Sequence, residues 1–326
     1  MLVSIITVYY NREDYISESI NSLLNQTYKN IEIIAVDDGS TDKTYEKLKA
    51  IDDPRLKVYT QKNKGFVNSL VDAINKSNGE LIAIHGSGDI SLPNRIQEQY
   101  NILKNNHNVG VVGCHVENIN SITQEKRIYR PEIKPSENVT SKLMEKCFFT
   151  HGEVMFRRNI YDLVGGYRSF FKYTQDYDLW MRMSLHCDFA IVPQILYRRF
   201  ILPDGVGVSF EKALMQKYFG EYSKQCVQLK KEGKKDYIEK FGDYGFFFRN
   251  KTKRLSDTLW RLSITAYFRD DLKNAMYINS RSMQEKITFR NVITYLSYML
   301  MKKFKLLDKI SKSLMNSMKT KQLSKQ

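Results

Sequence analysis

The chain has 326 residues, of which 42% are hydrophobic and 27% charged, and its formal net charge is +15. This composition is typical of a globular protein with one large domain or two of ordinary size, and it excludes a disordered chain. No apolar run reaches the roughly 18 residues that a membrane span requires, and the first residues lack the basic region and cleavage site of a signal peptide. We therefore expect a cytoplasmic protein.

The positive charge lies almost entirely at the C-terminal end. Residues 211–326 contain 26 Lys and Arg against 11 Asp and Glu, whereas the first 210 residues contain 25 of each sign. Such a region can meet nucleic acid, an anionic lipid surface or an acidic partner. A nucleic-acid-binding protein is the weaker interpretation, because no zinc finger, RNA-recognition signature or helix-turn-helix is evident, and nucleic acid is not an expected partner.

Segments typical of strands and helices alternate along the first 113 residues. Apolar runs predict strands at residues 2–8, 31–36, 56–59, 81–84 and 109–112. Apolar residues at helical spacing predict helices at residues 14–24, 44–51, 66–74 and 93–103. This alternation predicts an α/β fold of the Rossmann-like type, with a mostly parallel central sheet and helices on both faces. Ligands of such sheets bind where the strands end.

The pattern is less regular beyond residue 113. It predicts helices at 136–147 and 176–185 and short strands at 152–156, 189–192 and 195–199. From Phe210 onward the chain reads as mostly helical. We therefore divide it into an α/β domain at residues 1–209 and a basic helical region at residues 210–326.

One candidate ligand-binding segment, Asp37-Asp38-Gly39-Ser40, follows the second predicted strand. Two adjacent carboxylates can accept hydrogen bonds from a base N–H and from ribose hydroxyls, and Gly39 lets the backbone approach a ligand closely. Taken alone, the segment is equally compatible with a plain turn before a helix N-cap. A dehydrogenase is disfavoured, because no G-x-G-x-x-G follows the first strand.

This segment is one of eight short motifs. They are Ile6–Arg12, Ser22–Tyr28, Ile33–Asp42, Asn63–Gly65, Asn78–Glu80, Asp89–Arg95, Gly165–Tyr167 and Asp176–Trp180. In this order, over roughly residues 1–200, they closely resemble the family 2 glycosyltransferases, which have the GT-A fold. The resemblance implies inverting transfer of a sugar, with a UDP- or dTDP-sugar as the favoured donor and a saccharide or lipid-linked saccharide as acceptor. The product would be a surface polysaccharide, made at the inner face of the cell membrane.

The resemblance also assigns roles to individual residues. It places a nucleotide-binding half at residues 1–113 and an acceptor half at residues 114–209. The implied donor-binding residues are Thr7, Tyr9, Asn11, Asp37, Asp38, Gly65, Asp89 and Arg95. The secondary candidates for contacts with the acceptor or the diphosphate are His151, Arg168 and Gln175, the last of which replaces the Glu usual in the family.

Asp176 stands where the family has its catalytic base. An inverting displacement needs one group to take the proton of the acceptor hydroxyl. An Asp at the start of a helix is ionised, because the helix N-terminus favours the negative charge. The alternative role for Asp176 is an ordinary helix N-cap.

The sequence departs from the family at His85-Gly86-Ser87-Gly88-Asp89, where both positions of the usual metal-binding Asp-x-Asp are glycine. Three interpretations stay open. A divalent cation, Mn²⁺ or Mg²⁺, is held through Asp89 with help from His85, although one carboxylate makes a poor site. Alternatively, arginines balance the diphosphate, the candidates being Arg95, Arg168, Arg182, Arg198 and Arg199. In the third, the protein is an inactive relative that only binds the nucleotide-sugar.

Residues 287–316 have the pattern of an amphipathic helix. The apolar residues near one face are Ile287, Val292, Leu296, Leu300, Phe304, Leu307 and Ile310. The lysines on the other side and flanks are Lys302, Lys303, Lys305, Lys309 and Lys312. The pattern is typical either of a helix lying on an anionic membrane surface or of a helix packed on the protein's own core with a solvated basic face.

Overall fold

A computed structural model describes residues 1–134, 137–202 and 209–304. The chain divides into two compact units, Met1–Gly205 with Val227–Lys234, and Val206–Cys226 with Lys235–Gln326. Residues Val227–Lys234 group with the first unit although they lie beyond the predicted boundary at residue 210. Among the described residues, no helix is both long enough and apolar enough to cross a bilayer.

Nine strands of the described residues form one sheet. They are β1 (Val3–Tyr9), β2 (Ile31–Asp37), β3 (Leu56–Thr60), β4 (Leu81–Ile84), β5 (Ile90–Ser91), β6 (Val109–Asn120), β7 (Lys126–Tyr129), β8 (Met155–Arg157) and β9 (Asp188–Ile201). Their spatial order is β3-β2-β1-β4-β8-β6-β9-β5, and β7 pairs with β6. The strands β3, β2, β1 and β4 are mutually parallel, as predicted, so their carboxyl ends share one edge.

Helices cover both faces of this sheet. In the first unit they are α1 (Ile16–Leu24), α2 (Thr44–Lys49), α3 (Phe66–Asn75), α4 (Arg95–Asn105), α5 (Val139–Glu145), α6 (Arg158–Leu163) and α7 (Gln175–Met183). Side chains of β1 alternate between two cores: Ile6 packs with Leu70 of α3, and Ile5 packs with Ile20 of α1. This period of two is that of a strand buried on both faces. The α/β class with helices on both faces is therefore confirmed.

The second half of the sheet is mixed. Strand β8 lies antiparallel between β4 and β6, while β6 and β9 run parallel. The two strands predicted at 189–192 and 195–199 are one strand, β9, whose register against β6 shifts at Pro193 and Gln194. Proline has no N–H to donate to a neighbouring strand, so the pairing continues past it only through an irregularity of this kind.

The second unit is helical, as predicted. Its helices are α9 (Tyr237–Phe241), a 3₁₀ helix at Gly242–Phe248, α10 (Lys253–Phe268), α11 (Leu272–Glu285) and α12 (Phe289–Lys303), and α8 (Phe210–Lys231) contributes to both units. Its core includes Leu259, Ile278 and Tyr298. Of the residues predicted on the amphipathic face, Leu307 and Ile310 lie outside the described residues, as do Lys305, Lys309 and Lys312.

Candidate active site

The two carboxylates at the end of β2 shape the loops beside them. Asp37 accepts a hydrogen bond from the N–H of Ser40 at 3.2 Å and from the hydroxyl of Thr60 at 2.8 Å. Its backbone pairs with Tyr9 on β1 and with Thr60 on β3. The buried Asp37 side chain therefore fixes the local backbone.

Asp38 organises the loop before α3. Its Oδ1 accepts hydrogen bonds from the side chains of Gln61 and Ser69 and from the N–H of Lys64, at 2.7–3.1 Å. Its Oδ2 accepts the N–H of Gly65 at 3.0 Å, and within the described residues this is the one partner of that oxygen. A carboxylate oxygen has two lone pairs, so Oδ2 keeps acceptor capacity for a ligand N–H or hydroxyl.

Gly65 leaves open space beside the same loop. Its φ of +86° lies in the left-handed region that favours glycine. A Cβ added here would meet no atom within 4 Å. The absence of a side chain therefore keeps this part of the surface open.

The predicted contacts of Thr7 and Tyr9 with the donor do not agree with the positions of these side chains at the end of β1. Thr7 and Tyr9 are both 0% exposed, and the Tyr9 hydroxyl donates to Ser19 Oγ at 3.2 Å. Burial raises the pKa of Tyr9 to about 12. Neither side chain reaches a ligand on the surface, because both point to the same covered face as Ile5. Tyr10 follows the strand and is 47% exposed, so it presents a ring at this edge.

Asn11 joins two loops at this edge. It has a φ of 51°, and its Oδ1 accepts the N–H of Thr41 at 2.8 Å. Its own N–H donates to the hydroxyl of Ser40 at 2.9 Å. Asn tolerates the left-handed conformation better than most residues. Asn11 therefore supports the site by holding the β1 and β2 loops together.

The carboxylate of Asp89 is turned inward. Its Oδ2 accepts the Tyr197 hydroxyl at 2.8 Å, and its Oδ1 accepts the N–H of Phe200 at 2.9 Å. Burial raises the pKa of Asp89, and these two hydrogen bonds together with the charge of Arg199 lower it in part. Asp89 therefore fastens the loop after β4 to strand β9.

Both ring nitrogens of His85 also have hydrogen-bond partners within the protein. Its Nε2 lies 2.9 Å from Ser19 Oγ and its Nδ1 lies 3.2 Å from Ser91 Oγ. Burial, with the charge of Arg95, lowers the pKa of His85 to about 3, so the ring is neutral at physiological pH. With both nitrogens engaged, His85 presents no lone pair to a metal ion.

The residues at this loop do not fit a divalent cation. Within the described ranges, no group of three or more His, Cys, Asp or Glu side chains could hold one. The two candidate ligands, Asp89 and His85, direct their polar atoms to protein partners. We therefore derive no step of the reaction through a metal.

Gly86 and Gly88 cannot become the missing aspartates without rearrangement. A Cβ on Gly86 would lie 2.3 Å from Asp89 Oδ2. Gly88 has a φ of +101°, and a Cβ there would lie 3.1 Å from Cβ of Tyr15. Contacts below 3 Å force neighbours to move, and a positive φ strains any residue with a side chain. The loop is built for glycine.

Substituting Gly86→Ala is expected to lower the free energy of unfolding by about 1–3 kcal/mol, because the new methyl group displaces the buried Asp89 carboxylate. Urea unfolding measures this. The neighbouring Ser87→Ala is the control and is expected to change stability by less than about 0.5 kcal/mol. Equal stability of Gly86→Ala and wild type would contradict the close approach.

Arg95 is buried in the protein interior and is not exposed at the loop after β4. Its side chain is buried and donates to the carbonyl of Ile84, to Ser91 Oγ and to Gln99 Oε1 at 2.8, 2.8 and 3.2 Å. The guanidinium carbon lies 4.8 Å from the centre of the Tyr197 ring. The prediction that Arg95 contacts the donor is therefore corrected: it holds β4, α4 and β9 together.

The candidate base lies at the start of α7. The helix begins at the half-buried Gln175, and its N-cap is Thr174, so Asp176 is not an N-cap. The Asp176 carboxylate is half-buried and accepts no hydrogen bond within the described part of the chain. An ionised carboxylate beside a helix N-terminus with open lone pairs can accept a proton from a bound hydroxyl.

His151 connects this helix to the loop of Gly65. Its Nε2 lies 2.7 Å from the Tyr167 hydroxyl. Its ring is edge-on to Phe66, the residue after Gly65, with 5.7 Å between ring centres. Burial lowers the pKa of His151, while the negative charge of Asp176 opposes this shift. The His151 ring therefore contacts the loop of Gly65, and it also lies 6.4 Å from the ring of Trp180 in α7, the helix that carries Asp176.

A buried ion-pair cluster fixes α7 and the loop before it. Asp178 is paired with Arg168 and, at 2.8 Å, with Arg182. Arg182 also donates to the carbonyls of Val164 and Gly166 at 2.5 and 2.7 Å. Burial opposes ionisation of Asp178, yet the two arginines lower its pKa overall. The predicted contact of Arg168 with the substrate is corrected, because its guanidinium is bound to Asp178.

The α/β sheet with helices on both faces has the GT-A fold of solved glycosyltransferases. The chain belongs to glycosyl transferase family 2, because the sequence pattern of that family matches residues 4–174. A solved structure supports the fold independently. It is S. aureus TarS 1-349 in complex with UDP, with a TM-score of 0.56 and 15% identity over 93% of this chain and 91% of that chain.

Curated relatives are bacterial glycosyltransferases. An uncharacterized glycosyltransferase of Haemophilus influenzae is 32% identical over 60% of this chain and 64% of its own length. The UDP-Glc:alpha-D-GlcNAc-diphosphoundecaprenol beta-1,3-glucosyltransferase WfgD of Escherichia coli is 33% identical over 55% of this chain and 68% of its own length. The match to the Haemophilus protein thus spans less than two thirds of that relative.

Proposed function

We propose that this protein is an inverting glycosyltransferase of the hexosyl type. It moves a sugar from a nucleotide-diphosphate sugar to a glycan or lipid-linked saccharide in surface polysaccharide biosynthesis. The observation that carries the proposal is the Asp176 carboxylate, which accepts no hydrogen bond from the described residues and lies in the first turn of the helix whose Trp180 ring is 6.4 Å from the His151 ring. The same His151 ring contacts Phe66 beside Gly65. The names of WfgD and of the UDP complex of TarS support a donor of this class and a lipid-linked acceptor.

The donor nucleoside binds at the parallel edge of the sheet in this proposal. Asp38 Oδ2 accepts a hydrogen bond from the base or the ribose, and the exposed Tyr10 ring packs against the nucleoside. Because Gly65 has no side chain, its own backbone can approach the nucleotide closely. UDP and dTDP are the favoured carriers. Asp37 and Asn11 act indirectly, by holding the loops in shape.

The reaction is one in-line displacement. The acceptor hydroxyl oxygen attacks the anomeric carbon while Asp176 takes its proton. The bond from that carbon to the diphosphate oxygen breaks, and the diphosphate leaves with the electron pair. Configuration inverts because attack and departure occur on opposite faces. His151, which is bound to Tyr167, positions the acceptor beside Asp176.

Arg199 is the best-placed cation for the leaving diphosphate. Of the five candidate arginines, Arg95 is buried, Arg168 and Arg182 bind Asp178, and Arg198 pairs with Glu117. The Arg199 side chain has no ion pair within the described residues, and its charge lies close enough to lower the pKa of Asp89. Because the next residue, Phe200, donates its N–H to Asp89 at 2.9 Å, Arg199 lies next to the loop after β4, and we infer that its charge faces the diphosphate there.

Arg199→Gln is expected to lower kcat/KM by roughly 10- to 100-fold, the effect of losing one charge-assisted hydrogen bond. Arg198→Gln is the matched control, because that neighbour is already paired with Glu117 and should change kcat/KM by less than about threefold. Steady-state kinetics with the identified donor measure both. Equal effects of the two substitutions would remove Arg199 from the proposed site.

A thermal-shift panel of UDP, GDP, dTDP and their sugars, each with Mn²⁺ and with EDTA, tests donor binding. A ligand at about 100 times its Kd stabilises the native state by about 2.7 kcal/mol, which raises Tm by several degrees. We expect UDP or dTDP to do so in EDTA as well as in Mn²⁺. If no nucleotide shifts Tm under either condition, the proposal fails.

A second candidate is a catalytically inactive relative that binds a nucleotide-sugar, which the glycines at 86 and 88 favour. The panel above separates it from a nucleic-acid-binding protein, and a transfer assay separates it from an enzyme. Donor binding without transfer to any lipid-linked saccharide tested would support it.

A further inference from the structure

Helix α12 of the second unit has an apolar face that is turned to solvent. Phe289, Ile293, Leu296 and Leu300 follow one another at spacings of four, three and four residues, which places them on one stripe of a helix. Their exposed fractions are 82%, 44%, 53% and 53%. We call these four residues the α12 stripe.

The opposite face of α12 packs on its own unit. Asn291 is buried and donates from Nδ2 to Ser282 Oγ at 3.1 Å. Thr294 accepts from Trp260 Nε1 at 2.9 Å, and the Tyr298 ring lies 5.4 Å from that of Tyr267. The orientation of the helix is therefore fixed by contacts on the polar and aromatic side. The helix thus packs on the core of its own unit, as the second interpretation predicted, but through Asn291 and Tyr298 and not through Leu296 and Leu300.

The charge around the stripe is of one sign. Residues 286–304 contain four basic residues and no acidic one. The basic residues are Lys286 and Arg290 at one end of the helix and Lys302 and Lys303 at the other, all exposed. A helix with bulky apolar side chains on its exposed face and only positive charges at its ends is complementary to an anionic lipid surface.

We propose that α12 lies in the headgroup region of an anionic membrane, with the α12 stripe inserted among the acyl chains and the four basic residues bound to lipid phosphates. A bilayer is the occupant that the charges favour, because a second copy of this helix would bring eight positive charges together without a compensating acid. The proposal goes beyond sugar transfer and is tested without donor or acceptor.

The test is sedimentation of the full chain with vesicles of phosphatidylcholine, with and without phosphatidylglycerol. We expect binding to the anionic vesicles alone, weakening as salt rises. The variant Phe289→Ser with Leu296→Ser and Leu300→Ser should bind at least about tenfold more weakly, because its apolar insertion is lost. Lys302→Gln with Lys303→Gln should bind roughly 30-fold more weakly, at about 1 kcal/mol per lysine.

The matched control is Ile122→Ser with Leu163→Ser, which replaces two residues of the other unit that are 71% and 63% exposed. This variant should bind vesicles like wild type. Unchanged Tm values show that all variants fold, and Phe289→Trp supplies a second readout, a blue shift of its emission when anionic vesicles are added. Lack of wild-type binding, equal losses in the stripe variant and the control, or a dimer that only the stripe variant disrupts would each overturn the proposal.

Discussion

Replacing Asp176 with Asn is expected to lower kcat for sugar transfer by about 10²- to 10⁴-fold, the range that a positioned general base contributes. The amide cannot take the proton of the acceptor hydroxyl, although it has nearly the same shape. The affinity for the donor nucleotide should stay within about twofold of wild type, because the proposed nucleoside site is at the ends of β1 and β2. Single-turnover kinetics and nucleotide titration measure the two quantities.

Two controls separate a chemical role from a structural one. Asp162→Asn changes an exposed carboxylate of the same unit and should leave kcat unchanged. Gln175→Glu places a second negative charge beside Asp176, where the family usually has one, and should alter kcat without abolishing transfer. Turnover at the wild-type rate in Asp176→Asn would remove this residue as the base, whatever the controls show.

The second large effect concerns stability. Asp178→Asn is expected to lower the free energy of unfolding by about 3–5 kcal/mol, because it leaves the charges of Arg168 and Arg182 without their buried counter-ion. Urea unfolding measures the loss. The matched control is Glu125→Gln, whose partner Arg127 is 79% exposed, and it should cost at most about 1 kcal/mol.

The stability difference between wild type and Asp178→Asn should depend on pH. The folded-state pKa of Asp178 is lowered, so its contribution is fully present above the unfolded pKa of about 3.9 and is lost as pH falls through the folded value. The stability difference between wild type and Asp178→Asn should therefore be constant from neutral pH to about pH 5 and shrink in stronger acid. A difference that grows with acid would contradict the assignment.

The elements that could be predicted from the sequence are those that depend on a local residue pattern. Buried parallel strands are continuous apolar runs, so β1, β2 and β4 could be recognised without the structure. The short strands β5 and β7 could not, because two or four residues carry no measurable periodicity. The insertion of β8 between β4 and β6 is a long-range pairing, which no local pattern encodes.

The predictions of site residues also succeed or fail according to whether tertiary packing decides the position of the side chain. Asp176 and Gly65 were predicted from motifs, and their roles stay predictions. The structure leaves space beside Gly65, and Asp176 accepts no hydrogen bond from the described residues. Arg95 was assigned to the donor from its place in the Asp89–Arg95 motif, whereas tertiary packing buries it against Tyr197. Tyr9 was assigned to the donor from its motif, although alternation along β1 puts residues 5, 7 and 9 on one face of the sheet, and that face is buried.

Tyr197 connects the loop after β4 to a more distant glycine. Its hydroxyl lies 2.8 Å from Asp89 Oδ2 and accepts the N–H of Gly86 at 2.9 Å. A Cβ on Gly152 would come within 2.2 Å of the same hydroxyl. The Tyr197 hydroxyl therefore leaves no room for a side chain at position 152 and little at position 86. An acidic side chain at position 86 would have to displace the Asp89 carboxylate, 2.3 Å from its Cβ, and would crowd the Tyr197 hydroxyl at 3.3 Å, so we expect positions 86, 89 and 197 to covary among homologues.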